Sequence, residues 1–192
     1  MAKTADWRVA AAALLGACAA AGCSAAAIAL AWPETRIAGW LGLAPSFEAR
    51  ASSSAAGAAD HPNLARIARV ETMTSLSQAP ANPTAWLRLA FLDSLQPQGL
   101  GEAGNRALAA SYAVAPYGPD DTGWRLVFAF NHWAEVDRSN RLLVLDELRA
   151  TPFPYSPGDL QNAISDPAGR LALALALDTI RRNGETGPSG AP

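Results

Sequence analysis

The sequence predicts an all-α protein: an N-terminal transmembrane helix, a flexible linker, then antiparallel helical hairpins with flanking capping helices. Three observations carry this expectation. Residues 9–32 hold no charge. Pro80, Pro116 and Pro152 recur at a constant interval of 36 residues. Between them lie two blocks of one design. The first is P-A-N-P-T-A-W-L-R-L-A-F-L-D-S and then N-R-A-L-A-A-S-Y-A-V-A-P; the second is P-Y-G-P-D-D-T-G-W-R-L-V-F-A-F and then N-R-L-L-V-L-D-E-L-R-A-T-P.

The N-terminal run comes first. As a helix, 24 residues at ~1.5 Å rise span about 36 Å, enough for a hydrocarbon core of ~30 Å. Thirteen of the 24 are alanine, so Val9, Leu14, Leu15, Ile28 and Leu30 supply most of the drive to insert. Trp7 and Trp32 bracket the run as interfacial aromatics do, and Lys3 and Arg8 precede it. The positive-inside rule makes 1–8 a cytoplasmic tail, 9–32 the anchor, and the rest extracytoplasmic. The run exceeds the ~7–15 residues of a signal peptide's apolar core. Two alternatives stand beside the retained single-pass anchor: a lipoprotein attached at Cys23, since Ala21-Gly22-Cys23-Ser24 looks like a lipobox, and a cleaved signal peptide.

Residues 33–62 read as a juxtamembrane segment and linker. Ile37, Trp40 and Leu41 form a short apolar stripe after Pro33, and 45–62 is small and polar, a flexible tether. The helical domain is expected over 63–183. Its first helix, 63–78, begins at Asn63 as cap and carries Leu64, Ile67, Val70, Met73 and Leu76 as a buried face. Helices follow at 84–95, capped by Thr84, at 101–115, at 122–136, capped by Asp121 or Thr122, and at 138–150. A short helix at 157–164 precedes a last one at 167–182, where Asp166 caps and Pro167 opens the first turn. Arg181, Arg182, Asn183 and Gly184 close it, and 184–192 is a disordered tail.

The proline-marked hairpins resemble tetratricopeptide repeats. Pro80 precedes Trp86 by six residues, the family spacing between the closing Pro and the opening Trp. Trp86, Leu89 and Ala90 fit the first helix of a repeat, and Gly104, Leu108, Ser111 and Pro116 fit the second. The second block keeps the span from Trp124 to Pro152 but carries Phe128 where the family has a small residue. Both blocks are 36 residues long where the family has 34. The resemblance covers about two repeats, and it implies a protein-binding groove rather than catalysis. Helices 63–78 and 167–182 would then act as caps.

Composition narrows the functional classes. The net charge is −2, and Lys3 is the chain's single lysine among 15 basic residues, so no basic surface for nucleic acid is expected. Both cysteines, Cys18 and Cys23, sit in the apolar run, which leaves the helical domain without cysteine zinc ligands or a disulfide framework. His61 falls in the linker. His132 is the histidine of the helical domain, with Glu135 three residues on, but neither a G-x-S-x-G nor an H-E-x-x-H pattern accompanies it. Asp120-Asp121 and Asp146-Glu147 read as a cap and a solvated face. Trp86, Trp124 and Trp133 read as helix packing residues. Arg88, Arg106, Arg125, Arg141 and Arg149 read as solvated, with recognition of an acidic peptide as the alternative.

No catalytic residue, cofactor or metal is expected. The function expected is that of a membrane-anchored adaptor. It binds an unidentified protein at the helical-repeat groove and the membrane through 9–32, in envelope assembly or polysaccharide export. The alternative is an envelope protein handling carbohydrate or lipid, with enzymatic potential around His132.

Overall fold

The computed structural model describes residues 16–27, 31, 44–118, 121–151 and 157–185, and every regular element among them is an α-helix. The anchor expected over 9–32 is described only at 16–27 and at Ala31, where the chain is helical; the remainder lies outside the described residues. No helix among the described residues is long and apolar enough to cross a membrane. Backbone contacts divide the chain into two units, Met1–Pro80 and Ala81–Pro192.

In the first unit, α1 (Ala44–Ala56) packs against α2 (Pro62–Gln78). This corrects the expected tether over 45–62. Small side chains, read as having nothing to bury, instead let two backbones approach closely: Ala51, Ala58, Ala68 and Ser75 are all buried. Polar bonds hold the pair. Arg50 Nε meets Glu71 Oε1 at 2.8 Å, and Ser75 Oγ donates to Glu48 Oε2 at 3.3 Å.

The packed face of α2 also differs from the expected one. Ala68, Thr72, Ser75 and Leu76 are buried, whereas Ile67, Val70 and Met73 are exposed, the last two at 58%. A spacing of three falls short of the 3.6-residue turn, so the row drifts around the helix. The buried set keeps the i, i+4, i+7, i+8 pattern of one face. The start differs too: Pro62 occupies the first turn after His61, and Asn63 lies inside the helix.

The second unit contains α3 (Pro83–Ser94), α4 (Gly101–Val114), α5 (Thr122–Asn131), α6 (Arg138–Ala150), α7 (Pro157–Ala163) and α8 (Pro167–Glu185). α3 pairs with α4 and α5 with α6; α6 also packs on α4, α8 on α5, and α7 on α8. The apolar core runs through these helices, with Leu92, Leu100, Leu108, Phe130, Leu148 and Leu173 essentially inaccessible.

Local chemistry sets the helix ends. Asn82 caps α3, its side chain accepting the Ala85 N–H at 3.2 Å with Pro83 in the first turn. Thr84, the expected cap, instead donates to Asp121 Oδ1 at 2.8 Å and ties the starts of α3 and α5 together. Asp137 caps α6 through the Asn140 N–H at 2.7 Å. Asp166 caps α8 as expected, accepting the Gly169 N–H at 2.7 Å.

Two of the expected ends move. α5 stops at Asn131 rather than 136, with His132 leaving the helical conformation at φ −115°, and the Asn131 side chain accepts the Ser165 N–H at 2.7 Å and donates to the Val127 and Ala163 carbonyls. α8 runs through Gly184 to Glu185, and Asp178 is paired with both Arg181 and Arg182 in its last turns. The rest of the expected tail lies outside the described residues.

Candidate functional site

Aromatic side chains form a row along α3 and α5. Trp124 and Phe128 lie one turn apart on α5, and their rings stack at 5.1 Å with an 8° interplanar angle. Phe91 of α3 meets Trp124 edge-on at 6.2 Å, and the His132 ring lies 4.7 Å from that of Phe128. The spacing of four between Trp124, Phe128 and His132 keeps them on one side of the helix axis. Phe128 is the buried middle of this row. Trp124, read as a packing residue, is instead 46% exposed. An aromatic ring held by stacking with one side open to water presents a rigid apolar contact at little entropic cost.

Trp133 is partly buried, stacked on Phe130 at 5.0 Å with the Arg141 guanidinium 5.2 Å from its ring. Trp86 is partly buried against the core.

His132 and Glu135 lie near each other, with Nδ1 3.6 Å from Oε1, and both are partly open to solvent. Glu135 has a structural task. Its Oε2 accepts the Leu100 N–H at 2.5 Å, at the start of α4. Gly99 makes room for this: its φ is +70°, and a Cβ there would collide with the Glu135 carboxylate. The carboxylate thus ties the turn before α4 to the turn before α6. His61 is exposed at the start of α2. Among the described residues no group of three or more His, Cys, Asp or Glu side chains is placed to hold a metal ion.

Asp120 lies outside the described residues, and Asp146 and Glu147 separate. Asp146 is exposed and bonded to Arg149 at 2.8 Å. Glu147, read as part of a solvated face, is fully buried, as is Arg125, read as solvated. The two form an ion pair. Arg125 Nε lies 3.0 Å from both Glu147 oxygens, and its Nη2 bonds Oε1 as well. Thr122 Oγ1 and Tyr112 OH each donate to Glu147 at 2.7 Å. The remaining guanidinium donors reach the carbonyls of Ala115 at 3.0 Å and Pro116 at 3.1 Å, and the group sits 4.1 Å from the Tyr112 ring centroid. One buried cluster thereby ties α4, the turn after it, α5 and α6. Burial first, then the charge and hydrogen bond of Glu147, push the Tyr112 hydroxyl's pKa far above the ordinary tyrosine value, with Arg125 opposing.

The other arginines are engaged within the chain: Arg106 with Glu102, Arg141 with the carbonyls of Trp133 and Ala134, and Arg88 largely buried. The five arginines therefore do not assemble into one cationic face for an acidic peptide.

Sequence reading missed the cluster because charge alone suggested solvent. A signal was present. Both blocks contain Asn-Arg, and seven residues after each Asn stand Tyr112 and Glu147. The structure joins residues 35 apart along this register. Asn140 Nδ2 donates to the Asn105 carbonyl at 2.8 Å, Tyr112 to Glu147, and Leu100 to Glu135. No protein-family model, curated protein or solved structure matches the chain.

Proposed function

We propose that this chain is a membrane-anchored, extracytoplasmic adaptor: a single-pass anchor at 9–32 in the inner membrane, and a periplasmic domain of tetratricopeptide-like hairpins that binds another protein, in envelope assembly or polysaccharide export. The observation that carries the reading is the α3/α5 aromatic row, with Trp124 exposed and held by Phe91 and Phe128. Exposed, immobilised aromatic rings are the usual anchors of protein interfaces. The bonds between residues 35 apart favour a repeat architecture, because stacked repeats bring equivalent residues together one period on. Catalysis around His132 draws no such support: Glu135, its carboxylate neighbour, is engaged by the Leu100 amide.

The test uses the full-length chain in its own envelope. A photo-crosslinking residue at Trp124 is expected to capture a distinct protein in the membrane fraction, while the same probe at exposed Ala103 of α4 is not. Recovery of the chain in the soluble cytoplasmic fraction overturns the anchor, and equal capture at both positions overturns the interface.

A further inference from the structure

The period that organises the second unit also exposes its open edge. α6 packs on α4 so that residues 35 apart meet. Ala107 and Leu108 of α4 are 5% and 0% exposed. Their counterparts one period on, Leu142 and Leu143 of α6, are 57% and 38% exposed. The polar ladder stops at the same helix. Asn105 Oδ1 accepts the Asp137 N–H at 2.9 Å and the Asn140 Nδ2–H at 3.2 Å, whereas Asn140 Oδ1, buried, has no hydrogen-bond partner among the described residues. Among the described residues, α6 thus carries the apolar side chains of a covered helix without the cover.

We propose that the cover is a second copy of this chain, with two α6 helices packed antiparallel about a two-fold axis through Leu142. Charge selects this occupant. Arg138, Leu142 and Asp146 follow one another at four-residue steps on one face, and all three are exposed. Antiparallel pairing about Leu142 sets Arg138 of each copy against Asp146 of the other, with Leu142 against Leu142 at the centre. A parallel pairing would set arginine against arginine and aspartate against aspartate, which is repulsive. Asp146 also bonds Arg149 on its own helix at 2.8 Å, and both side chains stay exposed. The same patch meets itself with opposite charges twice, as a closed two-fold interface requires. This surface is distinct from the α3/α5 aromatic row, and the pairing requires neither the anchor nor the adaptor reading.

Cysteine crosslinking of the full-length chain tests it. With Cys18 and Cys23 replaced by serine, Leu142→Cys is expected to give a disulfide-linked dimer on mild oxidation, several-fold faster than Ala174→Cys on the exposed face of α8. Adding Arg138→Glu is expected to cut the yield at least five-fold, and adding Asp146→Arg to that chain to restore it. Both substitutions lie at exposed positions, and unchanged thermal melting checks that the variants fold. Equal crosslinking at 142 and 174, or a yield indifferent to Arg138→Glu, overturns the proposal, as does failure of the double charge swap to recover it.

Discussion

Arg125 and Glu147 face each other from successive helices with neither side chain exposed to solvent. Their geometry satisfies the carboxylate from three residues and the guanidinium from two carbonyls besides. Removing one charge leaves the other buried and uncompensated. Glu147→Gln, which keeps the shape, is expected to cost about 3–5 kcal/mol. A urea titration reads this as a lower midpoint at unchanged slope. A loss under ~1 kcal/mol would show that Arg125 is solvated.

Tyr112 makes the same cluster sensitive to high pH. Its folded pKa is raised, so the folded state holds the phenolic proton more tightly than the unfolded chain does. The stability it contributes is complete below the unfolded pKa of about 10 and falls as pH rises beyond it. Unfolding measured from pH 8 to 11.5 is expected to show a steep decline above pH ~10. Tyr112→Phe should flatten that decline while losing about 1 kcal/mol at neutral pH. An equally steep decline in the variant would place its origin elsewhere.

Gly169 of α8 packs directly against the α5 backbone. A Cβ there would overlap the Phe130 carbonyl, a backbone atom with no rotamer to change. Gly169→Ala is therefore expected to destabilise by about 1–3 kcal/mol despite alanine's better helix propensity. Hydrogen exchange should locate the effect in the α8 amides. Unchanged protection in α8 would contradict the close packing.

The register of α2 admits a direct test. Val70→Gln sits on the exposed face and is expected to change stability by less than about 0.5 kcal/mol. Ala68→Leu forces bulk between α1 and α2 and should cost about 1–3 kcal/mol. Thermal melts of the two variants distinguish the faces; the reverse ranking would restore the row Ile67, Val70, Met73 to the interior.

Helix positions were legible where caps and prolines are local. Pro167 opens its helix, Asp166 bonds the amide three residues on, and α6 spans the expected residues 138–150. Burial was less legible. Ile67, Val70 and Met73 read as a buried face and are exposed; Glu147 reads as part of a solvated face and is buried. A charged residue's burial depends on partners brought from other helices, here Tyr112, Thr122 and Arg125. The α1/α2 pair was hidden for a related reason: alanine and serine carry little apolar area, and their value lies in allowing two backbones to come close.

The chain's own order of residues determined that the protein is helical, where most helices start, and that two blocks share one design, because capping bonds and proline's fixed φ act within a few residues. Only the tertiary structure decided which faces meet. It buried Arg125 with Glu147, left Trp124 and Leu142 open to solvent, and set the bonded period at 35 residues beside a proline interval of 36. Those outcomes depend on how far one helix turns against the next, a sum over many side chains that no short stretch of sequence contains.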